Sequence, residues 1–257
     1  MTKPMQIAVI GCGAIGGTLA TRWAGLGHRL HIANSRGPET LRPLANRIGA
    51  VSADPQSAVQ GANVVLLAMP FPAAASLPRR LFDTAAPDVV IIDAANYYPD
   101  IRDPRIPAID AGLPESLWVA DQLGRPIFKA FNNLMLYSLA ALGRPEGEAG
   151  RLALPVAGDD PTGKATAMQL VNAAGFDPVD GGTLAESWRQ QPSTPAYCCD
   201  YDATDTLRGL GAAIKGQAAH IRDTLWREGY LPLFAANPPL AEVHPKVIAL
   251  NRSLNPL

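Results

Sequence analysis

Short apolar runs alternate with segments of helical periodicity along the first half of the chain. Gln6 to Ile10 is an apolar run, and residues 63–70 and 88–96 are continuous apolar stretches. Such stretches are typical of strands buried on both faces of a parallel sheet. Residues 15–26 repeat apolar positions at helical spacing, and residues 29–33 predict a second strand. The alternation predicts a doubly wound α/β sheet of the Rossmann type.

Two local signals extend this pattern. Asp54 stands before Pro55, which combines a capping side chain with a proline at the first helical position and predicts the start of a helix. Residues 125–133, RPIFKAFNN, predict a further strand that leads into a helix at 135–142. Each predicted strand is therefore followed by a helix or a loop on the way to the next strand.

The chain changes character after residue 143. Residues 144–150 form a polar, glycine-bearing segment, which predicts a boundary between a first domain, 1–148, and a smaller C-terminal lobe, 149–257. Within that lobe, residues 151–158 predict a strand and residues 159–175 a helix. The lobe is expected to be partly helical and to complete a cleft with the first domain.

Little β-sheet is predicted after residue 175. Residues 176–204 are rich in proline, glycine and tyrosine and are predicted to be irregular. From about Asp205 to Glu228 the apolar positions recur at helical spacing and predict one long helix. Its apolar stripe can pack on the chain's own sheet or on a second copy, which would give a homodimer. Residues 231–245 contain too many prolines for much regular structure.

Composition narrows the class of protein. The 257 residues are 47% hydrophobic and carry 22 basic and 23 acidic side chains, for a net charge of -1. Nucleic-acid and acidic-membrane partners favour clustered positive charge, so neither is expected. No apolar run approaches the length of a membrane span. The N-terminal MTKPMQIAVIG enters a strand pattern almost at once and leaves no room for a signal peptide, so we expect a cytoplasmic protein.

The three cysteines are a poor framework for disulfides. Cys12 lies in a glycine-rich loop, and Cys198 and Cys199 are adjacent. An odd number with a neighbouring pair favours free thiols. A redox or metal role for the pair is the alternative, but no His/Cys spacing typical of a metal site accompanies it, so no metal is expected.

The glycine-rich loop predicts a dinucleotide site. Gly11, Gly13 and Gly16 form a G-x-G-x-x-G motif between a predicted strand and a predicted helix. The first glycine permits a tight turn, the second lets the backbone approach a pyrophosphate, and the third lets helix and strand pack closely. The free N–H groups at the start of the helix then face the pyrophosphate. The alternative is a glycine turn that serves packing alone.

The segment after the second predicted strand indicates which dinucleotide. NAD-binding proteins often carry an acidic residue there, whereas this chain has Asn34, Ser35 and Arg36. A guanidinium can hold the 2′-phosphate of NADP through two parallel hydrogen bonds, and a hydroxyl can add a third. One or two such bonds predict a preference for NADPH over NADH of roughly tenfold to a hundredfold or more. The alternative is that Arg36 is an exposed loop cation.

Five motifs together resemble one family. IAVIGCGAIGGTLA, ANSRGPET, VVLLAMPF, DAAN and KAFN look like those of the coenzyme F420-dependent NADP oxidoreductases, which are related to 6-phosphogluconate dehydrogenase. The resemblance is clear over residues 5–135 and thinner over 150–182. It implies NADP(H) as cofactor and a flavin or deazaflavin as the second, small-molecule substrate.

The resemblance also implies cofactor-binding residues, motif by motif. These are Gly11, Gly13, Ala14, Ile15 and Gly16 for the pyrophosphate, Ser35 and Arg36 for the 2′-phosphate, Ala68, Met69 and Pro70 for the ribose and nicotinamide, and Ala94, Asn96, Asn132 and Asn133 at the next strand ends. In this family a basic residue often follows the Ser-Arg pair by four positions, but Thr40 stands there in this chain. Phosphate binding is then weaker, or Thr40 donates a hydroxyl instead.

The predicted function is NADPH-dependent hydride transfer between NADP(H) and a flavin- or deazaflavin-type acceptor, which needs mainly stacking in a dry pocket. One alternative is reduction of a small carbonyl or imine, which needs a general acid. Lys129 is the candidate for that role, although it can also be a lysine that reaches the surface. A second alternative is an NADP-binding sensor without catalysis. Residues 186–202 are the candidate far wall of the cleft, with Trp188 and Tyr197 available for stacking, or else a plain irregular loop.

Overall fold

A computed structural model describes residues 3–257 of the chain. Its main sheet is formed by six strands, which are β1 (Gln6–Ile10), β2 (Arg29–Ala33), β3 (Val51–Ser52), β4 (Val64–Leu67), β5 (Val90–Asp93) and β6 (Phe128–Lys129). All neighbouring strands are parallel, and their order across the sheet is β3-β2-β1-β4-β5-β6. The predicted doubly wound α/β sheet is therefore confirmed. The strand order reverses between β1 and β4, which is where such sheets open a crevice for ligands.

Five helices connect the strands of this sheet, and a sixth follows β6. They are α1 (Ala14–Gly25), α2 (Arg42–Ile48), α3 (Pro55–Val59), α4 (Pro107–Asp110), α5 (Glu115–Leu123) and α6 (Leu136–Ala141). Helix α3 begins as the sequence predicts, because the Asp54 carboxylate accepts hydrogen bonds from the backbone N–H of Ser57 at 3.0 Å and from its hydroxyl at 2.7 Å. These bonds satisfy a donor that a helix start leaves without a backbone partner.

The two faces of the sheet bury separate hydrophobic clusters. On one face Leu19 and Trp23 of α1 pack with Ile32 and other strand residues. On the other face Phe71 and Tyr97 pack with residues of α3 and α5, and their ring centroids lie 5.4 Å apart. A sheet covered on both faces explains why its strands read as continuous apolar runs.

A second, smaller sheet follows residue 150. It contains two parallel strands, β7 (Ala153–Val156) and β8 (Asp177–Asp180), which are joined by α7 (Pro161–Ala173). Two backbone hydrogen bonds between Lys129 and Ala157, 2.8 and 3.0 Å long, link this sheet to the end of β6. The Trp23 indole N–H also donates to the Leu170 carbonyl at 3.3 Å. The residues on either side of the predicted boundary at 148 therefore share one hydrophobic core.

The prediction that residues 176–204 are irregular is wrong for two parts of the segment. Residues Asp177–Asp180 form β8, and Leu184–Gln190 form a 3₁₀ helix. The sequence of β8, DPVD, has no apolar alternation and contains a proline. Its strand conformation comes from pairing with β7, and that contact is made between residues distant in sequence.

The prediction of one long helix is also wrong. The region is divided into α8 (Ala203–Ala212), α9 (Gln217–Ile221), a π-helical turn (Arg222–Trp226) and α10 (Arg227–Phe234). The helix breaks before Gly216, whose positive φ of 87° suits a residue without a side chain. The apolar stripe is consequently split, because Leu210 and Ile221 are buried whereas Leu207, Ile214 and Leu225 are more than half exposed.

Two parts of the proline-rich segment 231–245 are helical, contrary to prediction, because α10 extends to Phe234 and α11 begins at Leu240. Helix α11 spans Leu240–Leu254 and contains Pro245. A proline inside a helix removes one backbone hydrogen bond, but burial of an apolar face can offset that loss. Val243, Val247 and Ile248 supply this face. Of the helices in residues 3–257, none combines the length and apolar character that crossing a membrane requires.

One buried carboxyl group has no ion-pair partner among the described residues. Glu115 is 1% exposed, and its Oε2 accepts a hydrogen bond from the Tyr97 backbone N–H at 3.2 Å. The buried cations near it are already paired, Lys129 with Asp93 at 2.8 Å and Arg222 with its neighbour Asp223 at 2.7 Å. Burial raises the pKa of Glu115 to about 7, against the opposing effect of the two cations. Its ionisation therefore works against the folded state.

We predict that Glu115→Gln makes the protein more stable in mild alkali. The folded state holds a proton on Glu115 that the unfolded chain releases above its usual pKa of 4.5, so stability falls as the pH rises from 4.5 through 7. At pH 8 the variant should exceed the wild type by up to about 3 kcal/mol in free energy of unfolding, with little difference at pH 4.5. Urea unfolding at several pH values measures this. Exposed Glu148→Gln is the control, and equal pH dependence of wild type and Glu115→Gln would contradict the prediction.

Candidate functional site

The turn between β1 and α1 lies against the carboxyl end of β4. Gly11 has a φ of 97°, and a Cβ atom built on it would stand 2.5 Å from the Ala68 carbonyl oxygen. A Cβ on Gly16 would stand 2.0 Å from the Gly11 carbonyl oxygen. Real Cβ atoms do not approach backbone oxygens so closely. Both positions therefore require glycine for the turn, the helix and the strand end to meet.

Gly13 differs from these two glycines. Its backbone is extended, and a Cβ built on it would meet no atom within 4 Å. It is the N-cap of α1, a 12-residue helix with no side-chain cap and no acidic residue in its first turn. The N–H groups of such a helix start are free for an anion. The loop thus fits the pyrophosphate of a dinucleotide, with Gly13 beside the space that it would fill.

The turn after β2 presents Ser35 and Arg36 to solvent. The turn is ordered by Asn34, whose Oδ1 accepts the Arg36 backbone N–H at 2.9 Å and whose Nδ2 donates to the Thr40 hydroxyl at 2.9 Å. Thr40 in turn donates to the Gly37 carbonyl at 2.8 Å. Thr40 therefore braces the turn, while the Arg36 guanidinium has no ion pair with a described residue.

A cavity of about 370 Å³ opens at the carboxyl ends of β4 and β5. It brings together eight of the predicted cofactor-binding residues, two from the predicted pyrophosphate loop and six from the strand ends. Those on its wall are Ala14, Ile15, Ala68, Met69, Pro70, Ala94, Asn96 and Asn132. Ligands in open α/β sheets bind at the carboxyl ends of the strands, next to the point where strand order reverses. This is the position of the cavity.

Aromatic side chains from the C-terminal helices close the other side of the cavity. Tyr98 stacks on Trp226 with ring centroids 5.6 Å apart, Trp226 on Tyr230 at 4.0 Å, and Tyr230 packs on Phe234 at 4.7 Å. The sequence analysis missed these four residues. A signal for three of them exists, because 226, 230 and 234 are spaced four apart and so share one helical face.

The hydroxyl groups of Tyr98 and Tyr197 are hydrogen-bonded to each other at the cavity wall. The Asn96 side-chain N–H also donates to the Tyr197 hydroxyl at 3.3 Å. Burial raises the pKa of both phenols above the usual value of 10, so both are protonated at neutral pH. Of the two predicted substrate residues, Tyr197 lies at this cavity.

The predicted asparagines have different surroundings. Asn132 lines the cavity, and its Nδ2 donates to Asn96 Oδ1 at 3.0 Å and to the Gln190 carbonyl at 2.8 Å, while its Oδ1 accepts from Gln190 Nε2 at 3.0 Å. Its amide group is therefore largely engaged within the protein. Asn133 is not on the cavity wall, because its side chain turns to the Ala196 carbonyl at 3.2 Å.

Two other candidates lie away from this cavity. Lys129 is fully buried, neither at the surface nor on the cavity wall, and its ammonium group pairs with Asp93 at 2.8 Å and donates to the Ala95 carbonyl. Trp188 lines a different cavity of about 360 Å³, whose wall also includes Glu115. The general acid and the stacking residue predicted at these positions are thus not brought to the cofactor cavity.

The cysteines are free thiols. Burial raises the pKa of Cys12 to about 11 and of Cys199 to about 12, and that of Cys198 well above its usual value. Thiols that stay protonated are weak nucleophiles and weak metal ligands. Within residues 3–257 no group of three or more His, Cys, Asp or Glu side chains is placed to hold a metal ion.

The six-stranded sheet, the glycine turn and the cavity at the strand ends are those of a Rossmann-type fold. Residues 6–97 match the family model described as NADP oxidoreductase, coenzyme F420-dependent. The chain is also 47% identical to the Escherichia coli (strain K12) protein YjhV over 113 residues, which cover 43% of this chain and 77% of that protein. This chain belongs to the coenzyme F420-dependent NADP oxidoreductase family, as the sequence motifs predicted.

Solved structures extend the likeness of the fold. The protein SMa0349 from Sinorhizobium meliloti superposes with a TM-score of 0.61 at 31% identity, over 73% of this chain and 89% of that chain. A reductive aminase from Aspergillus terreus in complex with NADPH and ethyl levulinate superposes with a TM-score of 0.52 at 14% identity, over 98% of this chain and 75% of that chain. The second likeness shows the fold alone, but it includes the C-terminal helices.

We predict that Gly13→Ala folds normally but weakens NADPH binding. The added methyl group meets no protein atom, yet it occupies the space over the helix start that the pyrophosphate would fill. Loss of one hydrogen bond to a charged group corresponds to roughly a tenfold to hundredfold weaker affinity. Fluorescence titration with NADPH and a thermal melt measure the two properties. Gly25→Ala, at the far end of α1 with open space around it, is the control and should bind normally. Unchanged NADPH affinity in Gly13→Ala would count against this site.

We predict that Arg36→Ala lowers the affinity for NADPH by about tenfold to a hundredfold and leaves that for NADH unchanged. The guanidinium is exposed beside Ser35 and free to bind a 2′-phosphate. Dissociation constants for both nucleotides measure the effect. Arg29→Ala is a matched control. Arg29 is an exposed arginine at the amino end of β2, whereas Arg36 follows the carboxyl end of that strand. A variant that keeps the wild-type preference would show that another residue selects the nucleotide.

Proposed function

We propose that the protein is an NADPH-dependent oxidoreductase that transfers hydride between NADP(H) and a flavin- or deazaflavin-type ring. Membership of the NADP oxidoreductase family supports the reaction class. The observation that carries the choice of acceptor is the aromatic wall of Tyr98, Trp226, Tyr230 and Phe234, which faces the strand ends across one cavity. Planar rings bind well against such side chains.

The residues of this chain would bind and orient the cofactor. The glycine turn and the start of α1 would hold the pyrophosphate, and Ser35 and Arg36 the 2′-phosphate. The nicotinamide would then lie against Met69 and Pro70 at the end of β4. NADPH supplies the hydride when bound, and the protein's part is to align the two rings.

Apolar side chains would exclude water from the transfer. Ile15, Met69, Leu134, Leu136 and Val247 line the cavity together with the aromatic wall. These apolar side chains suit hydride transfer, because they shield the reacting carbon atoms from solvent. The proposal requires no protein acid for a flavin-type acceptor.

A second candidate function is NADPH-dependent reduction of a small carbonyl or imine. The observation that favours it is the hydrogen-bonded pair of Tyr98 and Tyr197 hydroxyls on the cavity wall. Either phenol can take the place of Lys129 as the group that donates a proton to the substrate. The cavity volume of about 370 Å³ also admits a small substrate.

NADPH oxidation followed at 340 nm tests these candidates. The acceptor panel contains FMN, FAD, riboflavin, a deazaflavin, a small ketone and a small imine, and NADH replaces NADPH as the control for nucleotide choice. Turnover with one ring system would support the first proposal, and turnover with the ketone or imine alone would favour the second. Tight NADPH binding without oxidation by any acceptor would contradict both and favour a non-catalytic sensor.

A further inference from the structure

The pair of phenols on the cavity wall leaves one hydroxyl proton unused. The Asn96 side-chain nitrogen can only donate, so the Tyr197 oxygen accepts there. The two phenol oxygens are in contact, and either hydroxyl can donate to the other. When Tyr197 is the donor, the Tyr98 proton has no acceptor among the described residues, and Tyr98 is the less buried of the two phenols. A polar hydrogen at a cavity wall without a protein partner is a natural donor to a ligand.

Other proton donors are missing from this wall. Among its residues, besides Tyr98 and Tyr197, only Tyr230, Cys198 and Arg102 carry titratable groups. Arg102 is held by Asp103 at 2.8 Å and by the Asn96 carbonyl, and guanidinium groups do not give up protons in proteins. Tyr230 makes no hydrogen bond that would orient its hydroxyl. Tyr98 combines a hydrogen-bonded oxygen with a place on the cavity wall that is less buried than that of Tyr197.

Burial dominates the surroundings of Tyr98 and raises the pKa of this phenol, and the Arg102 guanidinium offsets part of that effect. The Arg102 guanidinium carbon lies 5.1 Å from the centroid of the Tyr98 ring. A cation at this distance stabilises a phenolate more than a neutral phenol. The ring itself is fixed by stacking on Trp226. Position, hydrogen bonding and charge therefore act on the same hydroxyl.

We propose that Tyr98 is the proton donor for reduction of a small ketone or aldehyde in this cavity. The inference rests on the second candidate function, reduction of a small carbonyl with the nicotinamide of NADPH bound at the strand ends. Hydride forms the new C–H bond at the carbonyl carbon, the C=O π bond breaks, and the Tyr98 proton forms the O–H bond of the alcohol. NADPH is oxidised to NADP⁺ as the carbonyl is reduced. Tyr98 recovers its proton from Tyr197, which takes one from solvent.

Tyr98→Phe tests the proposal, because it keeps the ring that stacks on Trp226 and removes only the hydroxyl. With cyclohexanone as the probe ketone, kcat should fall by roughly 10²–10⁴-fold while the dissociation constant of NADPH stays the same. A solvent deuterium isotope effect on kcat should be present in the wild type and change in the variant. Tyr201→Phe is the matched control, because Tyr201 lies outside the cavity under the Arg252 guanidinium.

A binding experiment decides the same question without turnover. Cyclohexanone is titrated into the wild type and Tyr98→Phe in the presence of NADP⁺, which cannot reduce it. Loss of the hydrogen bond from Tyr98 should weaken ketone binding by roughly twofold to tenfold. Equal binding by both proteins, or no ketone binding by the wild type, would overturn the proposal.

The two experiments separate the proposed function from the role of Tyr98. A wild type that binds NADPH but oxidises it with no acceptor would contradict the proposed function. The titration with NADP⁺ would still show whether Tyr98 donates a hydrogen bond to the carbonyl oxygen. A wild type that reduces cyclohexanone as fast as Tyr98→Phe would overturn the inference alone.

Discussion

The close contact between the glycine turn and the end of β4 is the constraint on which the rest of the structure depends. A Cβ atom on Gly11 would overlap the Ala68 carbonyl, and one on Gly16 would overlap the Gly11 carbonyl, so neither position has room for a side chain. Because the turn is so tight, α1 starts directly above the crevice between β1 and β4. The free N–H groups of the helix and the strand ends that line the cavity therefore face one common space.

The far wall of the cavity depends on α11, which holds an irregular segment in place. Cys198 and Asp200 have positive φ angles of 49° and 51°, which are unfavourable for residues with side chains. Asn251 donates to the Cys198 carbonyl at 2.9 Å, and Arg252 donates to the Cys199 carbonyl at 2.9 Å. These bonds offset the unfavourable backbone. They also place the neighbouring Tyr197 against Tyr98, so the tail of the chain determines the shape of the site.

The buried ion pair of this fold lies apart from the cavity at the strand ends. The ion pair of Lys129 and Asp93 is buried behind the strand ends, where it joins β5 to β6 but does not line the cavity. The cavity itself is bounded by apolar, aromatic, hydroxyl and amide groups, with Arg102 as its one charged side chain. Hydride transfer needs alignment and exclusion of water more than charge, so this distribution suits the reaction class of the family.

The sequence by itself determined the parallel sheet, the glycine turn between β1 and α1 and the capped start of α3, because each depends on local periodicity or on neighbours within a few positions. Only the tertiary structure decided the break before Gly216, the pairing of β8 with β7 and the burial of Lys129. It alone brought together Tyr98 and Tyr197, which are 99 residues apart. Such contacts arise from packing between distant segments, and no local pattern encodes which segments will meet.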